Sequence, residues 1–136
     1  MVRRPSDEWS RKVKEEAAEL ARGTRSPEQV YARFLWPESL RSRTDAALAE
    51  FEVDLHALRQ PSDEEILNVV ERLVLTLNKI NKDQARADEI GYETDEREEL
   101  CDYISASLQE AGIDVVSLET RHGAPPGDIA GRWRDW

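Results

Sequence analysis

Cysteine is almost absent from this chain of 136 residues, in which Cys101 is the only one. A lone cysteine can neither close an internal disulfide nor supply the several thiolates of a structural zinc site. Histidine is nearly as scarce, and neither His56 nor His122 has a serine or cysteine beside it in a recognisable nucleophile motif. The glycines do not follow the spacing of a phosphate-binding loop. We therefore expect no metal centre and no bound cofactor.

Long apolar runs are also missing, because no uninterrupted stretch exceeds four residues. A helix that crosses a bilayer needs about 20 apolar residues in succession. Residues 1–8 are charged and lack the apolar segment of a secretory signal peptide. These features predict a cytoplasmic protein that does not contact membranes.

Negative charge dominates, with 29 Asp and Glu against 19 Lys and Arg, a formal net charge of -10. The charge is uneven: residues 1–43 carry +3, residues 44–114 carry -13, and residues 115–136 are balanced. An acidic surface repels phosphates, so we expect no nucleic-acid partner. With 39% hydrophobic residues, the chain has enough apolar side chains for a core.

Helical periodicity predicts an all-α, single-domain bundle of five to six helices over residues 1–136. Residues 1–43 would form mildly basic N-terminal helices, residues 44–114 the acidic core, and residues 115–136 a loop and short helix. The predicted starts are Ser26, Thr44, Ser62, Thr94 and Asp128, and the predicted stops are Gly23, Pro61 and Gly112, while Pro37 either ends or restarts a helix. Residues 113–118 fit either a short strand or another turn of helix.

The long helix that begins after Ser62 is predicted to be central. Ser62 and Glu65 have the spacing of a capping box, and apolar residues fill an unusually wide arc of the helix that follows. Leu75 lies on the opposite, polar side, and we expect another part of the fold to cover it. Asn78 and Asn81 lie at the edge of the apolar arc, and we expect their amides to fix packing.

Residues 88–102 are the most charged segment, with eight acids and only one basic residue, Arg97. On a helical wheel, four carboxylates span about 100 degrees opposite the apolar face; they are Asp95, Glu98, Glu99 and Asp102. Such a face either keeps the protein in solution or attracts a cationic surface. We expect it to bind a basic protein partner.

The C-terminal segment carries a second candidate site. Trp133 and Trp136 lie three residues apart and share one face of a predicted short helix. They either dock on the body of the fold or anchor a partner, because Trp and Arg are enriched at interface hot spots. A homodimer that uses Leu75 and these two tryptophans is a further alternative.

An enzymatic alternative rests on acids at successive i, i+3 positions, namely Glu93, Glu96, Glu99 and Asp102. This spacing resembles the acidic motifs of all-α nucleotide pyrophosphatases, whose carboxylates hold Mg²⁺ against substrate phosphates. Successive i+3 steps drift by about 60 degrees, however, so the four do not converge on one ion.

Three segments together, residues 77–81, 93–101 and 133–136, resemble a set of small acidic bacterial proteins without assigned activity. The likeness covers residues 62–136 and implies no catalytic residue. In size and charge the chain is also similar to immunity proteins, which neutralise a toxin by covering it. This resemblance implies a non-enzymatic, immunity-type binding protein.

Overall fold

The computed structural model describes residues 2–136, which form six α-helices and no strand. The helices are α1 (Pro5–Arg22), α2 (Ala32–Leu35), α3 (Glu38–His56), α4 (Asp63–Arg86), α5 (Thr94–Glu110) and α6 (Val115–Arg121). Two 3₁₀ turns, Pro27–Gln29 and Ile129–Arg132, precede α2 and follow α6. The predicted all-α bundle is confirmed, and the ambiguous segment near residue 115 is helical.

Helix α4 packs most extensively against α3 and also contacts the last 3₁₀ turn. Its capping box forms as predicted: the Glu65 amide donates to Ser62 Oγ at 3.2 Å, and the Ser62 amide donates to Glu65 Oε1 at 3.2 Å. The apolar arc is buried along the whole helix, at Ile66, Val69, Val70, Leu73, Val74, Leu77 and Ile80. Leu75 is 49% exposed, so the prediction that the fold covers it was wrong.

Helix α3 begins earlier than the predicted start at Thr44, directly after Pro37, which restarts a helix, one of the two roles predicted for it. Thr44, predicted as its N-cap, lies inside the helix and is fully buried. The Thr44 hydroxyl lies 2.6 Å from the hydroxyl of Tyr92, which belongs to the connection between α4 and α5. The Thr44 hydroxyl therefore makes a tertiary hydrogen bond and does not cap a helix.

The predicted helix after Ser26 is divided into a 3₁₀ turn and the short α2. The divide occurs because Glu16 of α1, only 5% exposed, accepts hydrogen bonds from the amides of Tyr31 at 3.3 Å and Ala32 at 2.6 Å. A distant carboxylate thus caps α2. Asp128, which was predicted to cap the last helix, does not cap the last 3₁₀ turn with its side chain. Its carboxylate accepts a hydrogen bond from Arg134 instead.

Four aromatic rings form a column through the core. Trp9 is fully buried and stacks parallel to Trp36, with ring centroids 6.1 Å apart. The ring of Tyr92 lies 6.4 Å from that of Trp9, and Trp136 meets Tyr92 edge-on at 5.2 Å. The column joins α1, the end of α2, the α4–α5 connection and the C-terminal segment. Within residues 2–136, no helix combines the length and the apolar character that crossing a membrane requires.

Candidate protein-binding face

Three carboxylates stand exposed along the outer side of α5 and form what we term the acidic ridge: Asp95, Glu98 and Asp102. The ridge faces outward because the opposite side of the helix is buried, at Leu100, Ile104 and Leu108. Within the part of the chain that the structure describes, no ion pair reaches any ridge carboxylate. The ridge is therefore a row of unneutralised negative charge.

Glu99 was predicted to belong to this outward face, and that prediction was wrong. Its side chain is half-buried, and Oε2 accepts a hydrogen bond of 2.7 Å from the indole Nε1 of Trp9. Burial raises the pKa of Glu99, although the Trp9 hydrogen bond partly offsets this effect. Tyr103, 3% exposed, widens the buried side of α5 toward Glu99, which the apolar pattern of the sequence did not indicate.

The basic residues of the N-terminal third do not neutralise the ridge. Arg4 pairs with Glu52 at 2.9 Å and with Asp45 at 3.2 Å, both on α3. Other arginines of this region behave in the same way: Arg11 pairs with Glu8 and Glu15, Arg25 with Glu16 and Glu19, and Arg43 with Asp83. Since these cations pair with other acids, they leave the ridge its charge.

Two clefts of about 400 and 430 Å³ flank the ridge, and Asp102 lines both. The first, termed the N-terminal cleft, is lined by Val2, Arg3, Arg4, Pro5, Glu8, Glu99, Asp102, Tyr103 and Ala106. The second, termed the tail cleft, is lined by Arg97, Glu98, Cys101, Asp102, Pro126, Gly127, Asp128 and Arg134. Asp102 therefore borders both depressions, whereas Glu98 borders only the tail cleft.

The thiol in the tail cleft is not activated for nucleophilic chemistry. Burial raises the pKa of Cys101, which favours the protonated thiol over the reactive thiolate. Arg134 Nη1 lies 3.4 Å from the sulfur but also donates to the carboxylate of Asp128. The positive charge of Arg134 is thus shared with an acid.

The two C-terminal tryptophans are partly buried against the body of the fold. Asn78 holds this segment, since its Nδ2 donates to the carbonyl of Trp133 at 2.8 Å and its Oδ1 accepts from the amide of Asp135 at 3.2 Å. The ring of Trp136 packs against Tyr92. The tryptophans therefore contribute to the core as well as to the surface beside the tail cleft.

The acids considered as Mg²⁺ ligands lie in different surroundings and do not face one another's partners. Glu96 accepts a hydrogen bond of 3.0 Å from the amide of Glu93, whereas Glu99 binds Trp9 and Asp102 faces solvent. Among residues 2–136, no group of three or more His, Cys, Asp or Glu side chains is placed to hold a metal ion.

Sequence reasoning found the ridge but missed the clefts. Their walls come from segments distant in sequence, including Val2 and Tyr103 in one and Pro126 and Arg134 in the other. No periodic signal within one helix indicates such a meeting. Comparison with protein-family models, with curated proteins and with solved structures found no match to this chain.

Proposed function

We propose that this chain is a non-enzymatic protein-binding module whose acidic ridge docks a basic protein partner, in the manner of an immunity-type inhibitor. One observation carries the proposal: Asp95, Glu98 and Asp102 are exposed side by side, and no cation among the described residues pairs with them. Carboxylates held this close repel one another, so a cationic surface laid over them removes that repulsion.

The surroundings of the ridge support docking over a mere solvated face. The clefts beside the ridge are depressions into which side chains of a partner can insert. The adjoining C-terminal segment contributes Arg134 and the partly buried indoles of Trp133 and Trp136 to the same surface. Interfaces commonly combine a few such anchors with a charged rim that speeds association.

The test is capture of a partner from the native cell at low and at high salt, with the ridge intact and reversed. In the reversed variant, Asp95, Glu98 and Asp102 all become Lys. We expect the intact protein to retain a basic protein at low salt, to lose it at about 1 M salt where charges are screened within about 3 Å, and the reversed variant to retain none.

A matched control reverses three other exposed acids that have no ion pair among the described residues, Glu28, Glu38 and Glu50. This control changes the net charge equally and should capture the partner as the intact protein does. Capture that is lost equally in both variants would reduce the effect to net charge. Capture that survives ridge reversal, or no captured protein at all, would contradict the proposal.

A further inference from the structure

Three large apolar side chains stand exposed together on α2 and its N-cap. Tyr31 and Phe34 are each 58% exposed, and Leu35 is 39% exposed. Positions i, i+3 and i+4 share one side of a helical turn, so the three form a single surface, which we term the α2 patch. The other large exposed apolar side chains of the described residues lie one to a helix, at Val53, Leu75 and Val116. A cluster of this kind, unlike a single exposed residue, is typical of an interaction site.

The α2 patch is fixed to the body of the fold from below. Ala32 and Trp36, on the opposite side of the turn, are buried. The amide of Ala32 donates to the carboxylate of Glu16 on α1 at 2.6 Å, and Arg41 Nε of α3 donates to the carbonyl of Trp36 at 2.8 Å. A partner therefore meets a backbone already held in place, which lowers the entropic cost of binding.

Charges of both signs accompany the α2 patch. Within the described residues, Glu28, Arg33 and Glu38 are exposed and none of them makes an ion pair. The guanidinium carbon of Arg33 lies 4.9 Å from the centre of the Phe34 ring, so this cation lies over the patch itself. Glu38 begins α3, three residues after Leu35. The patch therefore combines an apolar centre with one cation and two acids that lack a counterion among the described residues.

This mixture of charges favours a second copy of the chain as the occupant. A strongly basic surface would be repelled by Arg33, and a strongly acidic one by Glu28 and Glu38. A second copy offers the same apolar centre and the same two signs, and a two-fold axis sets a cation of each copy against an acid of the other. Because each copy carries a net charge of -10, copies repel as whole molecules, so a contact between them needs a locally balanced surface such as this one.

We propose that two copies of the chain form a two-fold symmetric dimer through the α2 patch, with Arg33 of each copy paired with Glu38 of the other. Burial of the Tyr31 and Phe34 rings against the second copy supplies the main driving force. The inference goes beyond the proposed function, which uses the ridge on α5. It also differs from the dimer suggested by the C-terminal tryptophans, which are partly buried against the fold.

The mass in solution tests the dimer. In sedimentation equilibrium, the average mass should rise from that of one chain toward that of two as the concentration increases to about 1 mM, a range that detects weak association. Phe34→Ser should raise the dissociation constant at least about tenfold, because a buried ring is lost from both copies. Circular dichroism shows that the variant keeps its helices.

Val53→Ser is the matched control for Phe34→Ser. It also removes an exposed apolar side chain, but it lies fifteen residues beyond Glu38 on α3, about 22 Å along that helix. Its dissociation constant should stay within about twofold of that of the unchanged protein, as is usual for a position outside an interface. A dimer that Phe34→Ser leaves unchanged, or that Val53→Ser weakens equally, would overturn the assignment to the α2 patch.

Charge reversal tests the pairing across the two-fold axis. Arg33→Glu alone and Glu38→Arg alone each place like charges opposite one another at both symmetric contacts, so each should weaken the dimer at least about threefold. Mixing the two variants restores opposite charges at both contacts, and the mixed dimer should be about as tight as the unchanged one. A mixed dimer no tighter than those of the separate variants would overturn the assigned pair.

The dimer and the docking ridge fail separately. A single-chain mass at every concentration up to about 1 mM would overturn the dimer and leave the ridge untouched. Reversal of the ridge at Asp95, Glu98 and Asp102 lowers the repulsion between copies, so that variant should dimerise at least as tightly as the unchanged protein. Loss of the dimer in that variant would place the interface on the ridge and overturn the proposal.

Discussion

Asn81 and Gly91 fit together so closely that Gly91 has no room for a β-carbon while the Asn81 carboxamide keeps its place. Asn81 Oδ1 accepts a hydrogen bond of 2.8 Å from the amide of Tyr92, and a Cβ added to Gly91 would lie 2.1 Å from that oxygen. The Tyr92 hydroxyl in turn meets Thr44 of α3. This small cluster fixes the connection between α4 and α5, and with it the position at which the ridge begins.

Gly91→Ala should lower the free energy of unfolding by about 1–3 kcal/mol. The new methyl group displaces the Asn81 carboxamide and leaves the amide of Tyr92 without its acceptor, which costs about that much for a buried group. Urea unfolding followed by circular dichroism measures the change.

The double variant supplies the control for this prediction. On an Asn81→Ala background the obstructing oxygen is gone, so Gly91→Ala should cost less than about 1 kcal/mol, the entropic difference between the two residues favouring alanine. Additive effects of the two substitutions would show that the close approach is not the cause.

Glu16 determines how the first and second helices meet. Its buried carboxylate caps α2 and also lies 3.4 Å from Arg25, in the connection between the two helices. The neighbouring Glu15 is exposed, and its ion pair with Arg11 lies within the same helix. Two adjacent glutamates thus have very different structural roles.

Glu16→Ala should destabilise the protein by about 1.5–3 kcal/mol, because it leaves the amides of Tyr31 and Ala32 without a charged acceptor. Glu15→Ala should change the stability by less than about 0.5 kcal/mol, as is usual for exposed ion pairs. Chemical denaturation of both variants tests the contrast, and similar losses for the two would refute the capping role of Glu16.

The difference between local and long-range contacts of polar side chains explains which helix boundaries the sequence predicted and which it did not. The helices after Ser62 and Glu93 were found because their signals are local: a capping box or acidic first turn followed by an apolar stripe. The start of α3 and the division before α2 were missed because Thr44 and Glu16 bond across the fold. No pattern within a helix indicates which distant group will meet a polar side chain.

In the candidate site, too, the sequence predicted what the helical period determines and missed what a neighbouring helix determines. The exposed positions of Asp95, Glu98 and Asp102 follow from the helical period, since they lie opposite the buried leucines of α5. Glu99 lies at the edge of that arc, where a neighbouring helix decides its environment, and Trp9 of α1 turned it inward. Periodicity therefore located the ridge but not its boundary.

Asp63 joins the start of α4 to the end of α6. This residue opens α4, and its carboxylate accepts from Arg121 at 2.7 and 2.8 Å and lies 2.9 Å from Nε2 of His122. These hydrogen bonds, that of Arg121 first, lower the pKa of Asp63 to about 2.

Asp63→Asn should therefore change how stability depends on pH. A carboxylate whose pKa is lowered by folding stabilises the native state above its unfolded pKa, and this contribution is lost as the pH falls through the folded value. The difference in unfolding free energy between the unchanged protein and Asp63→Asn should be present at about pH 4 and shrink as the pH falls toward about 2. A difference independent of pH over that range would contradict the assignment.

The aromatic column has a practical consequence for following how the whole molecule assembles. Three of its four rings are indoles, and they come from α1, the end of α2 and the C-terminal segment. Intrinsic fluorescence therefore reports the closure of remote segments in one optical signal, without an attached dye. Exposure of any of these indoles to water would red-shift the emission, a signal separate from the helical one of circular dichroism.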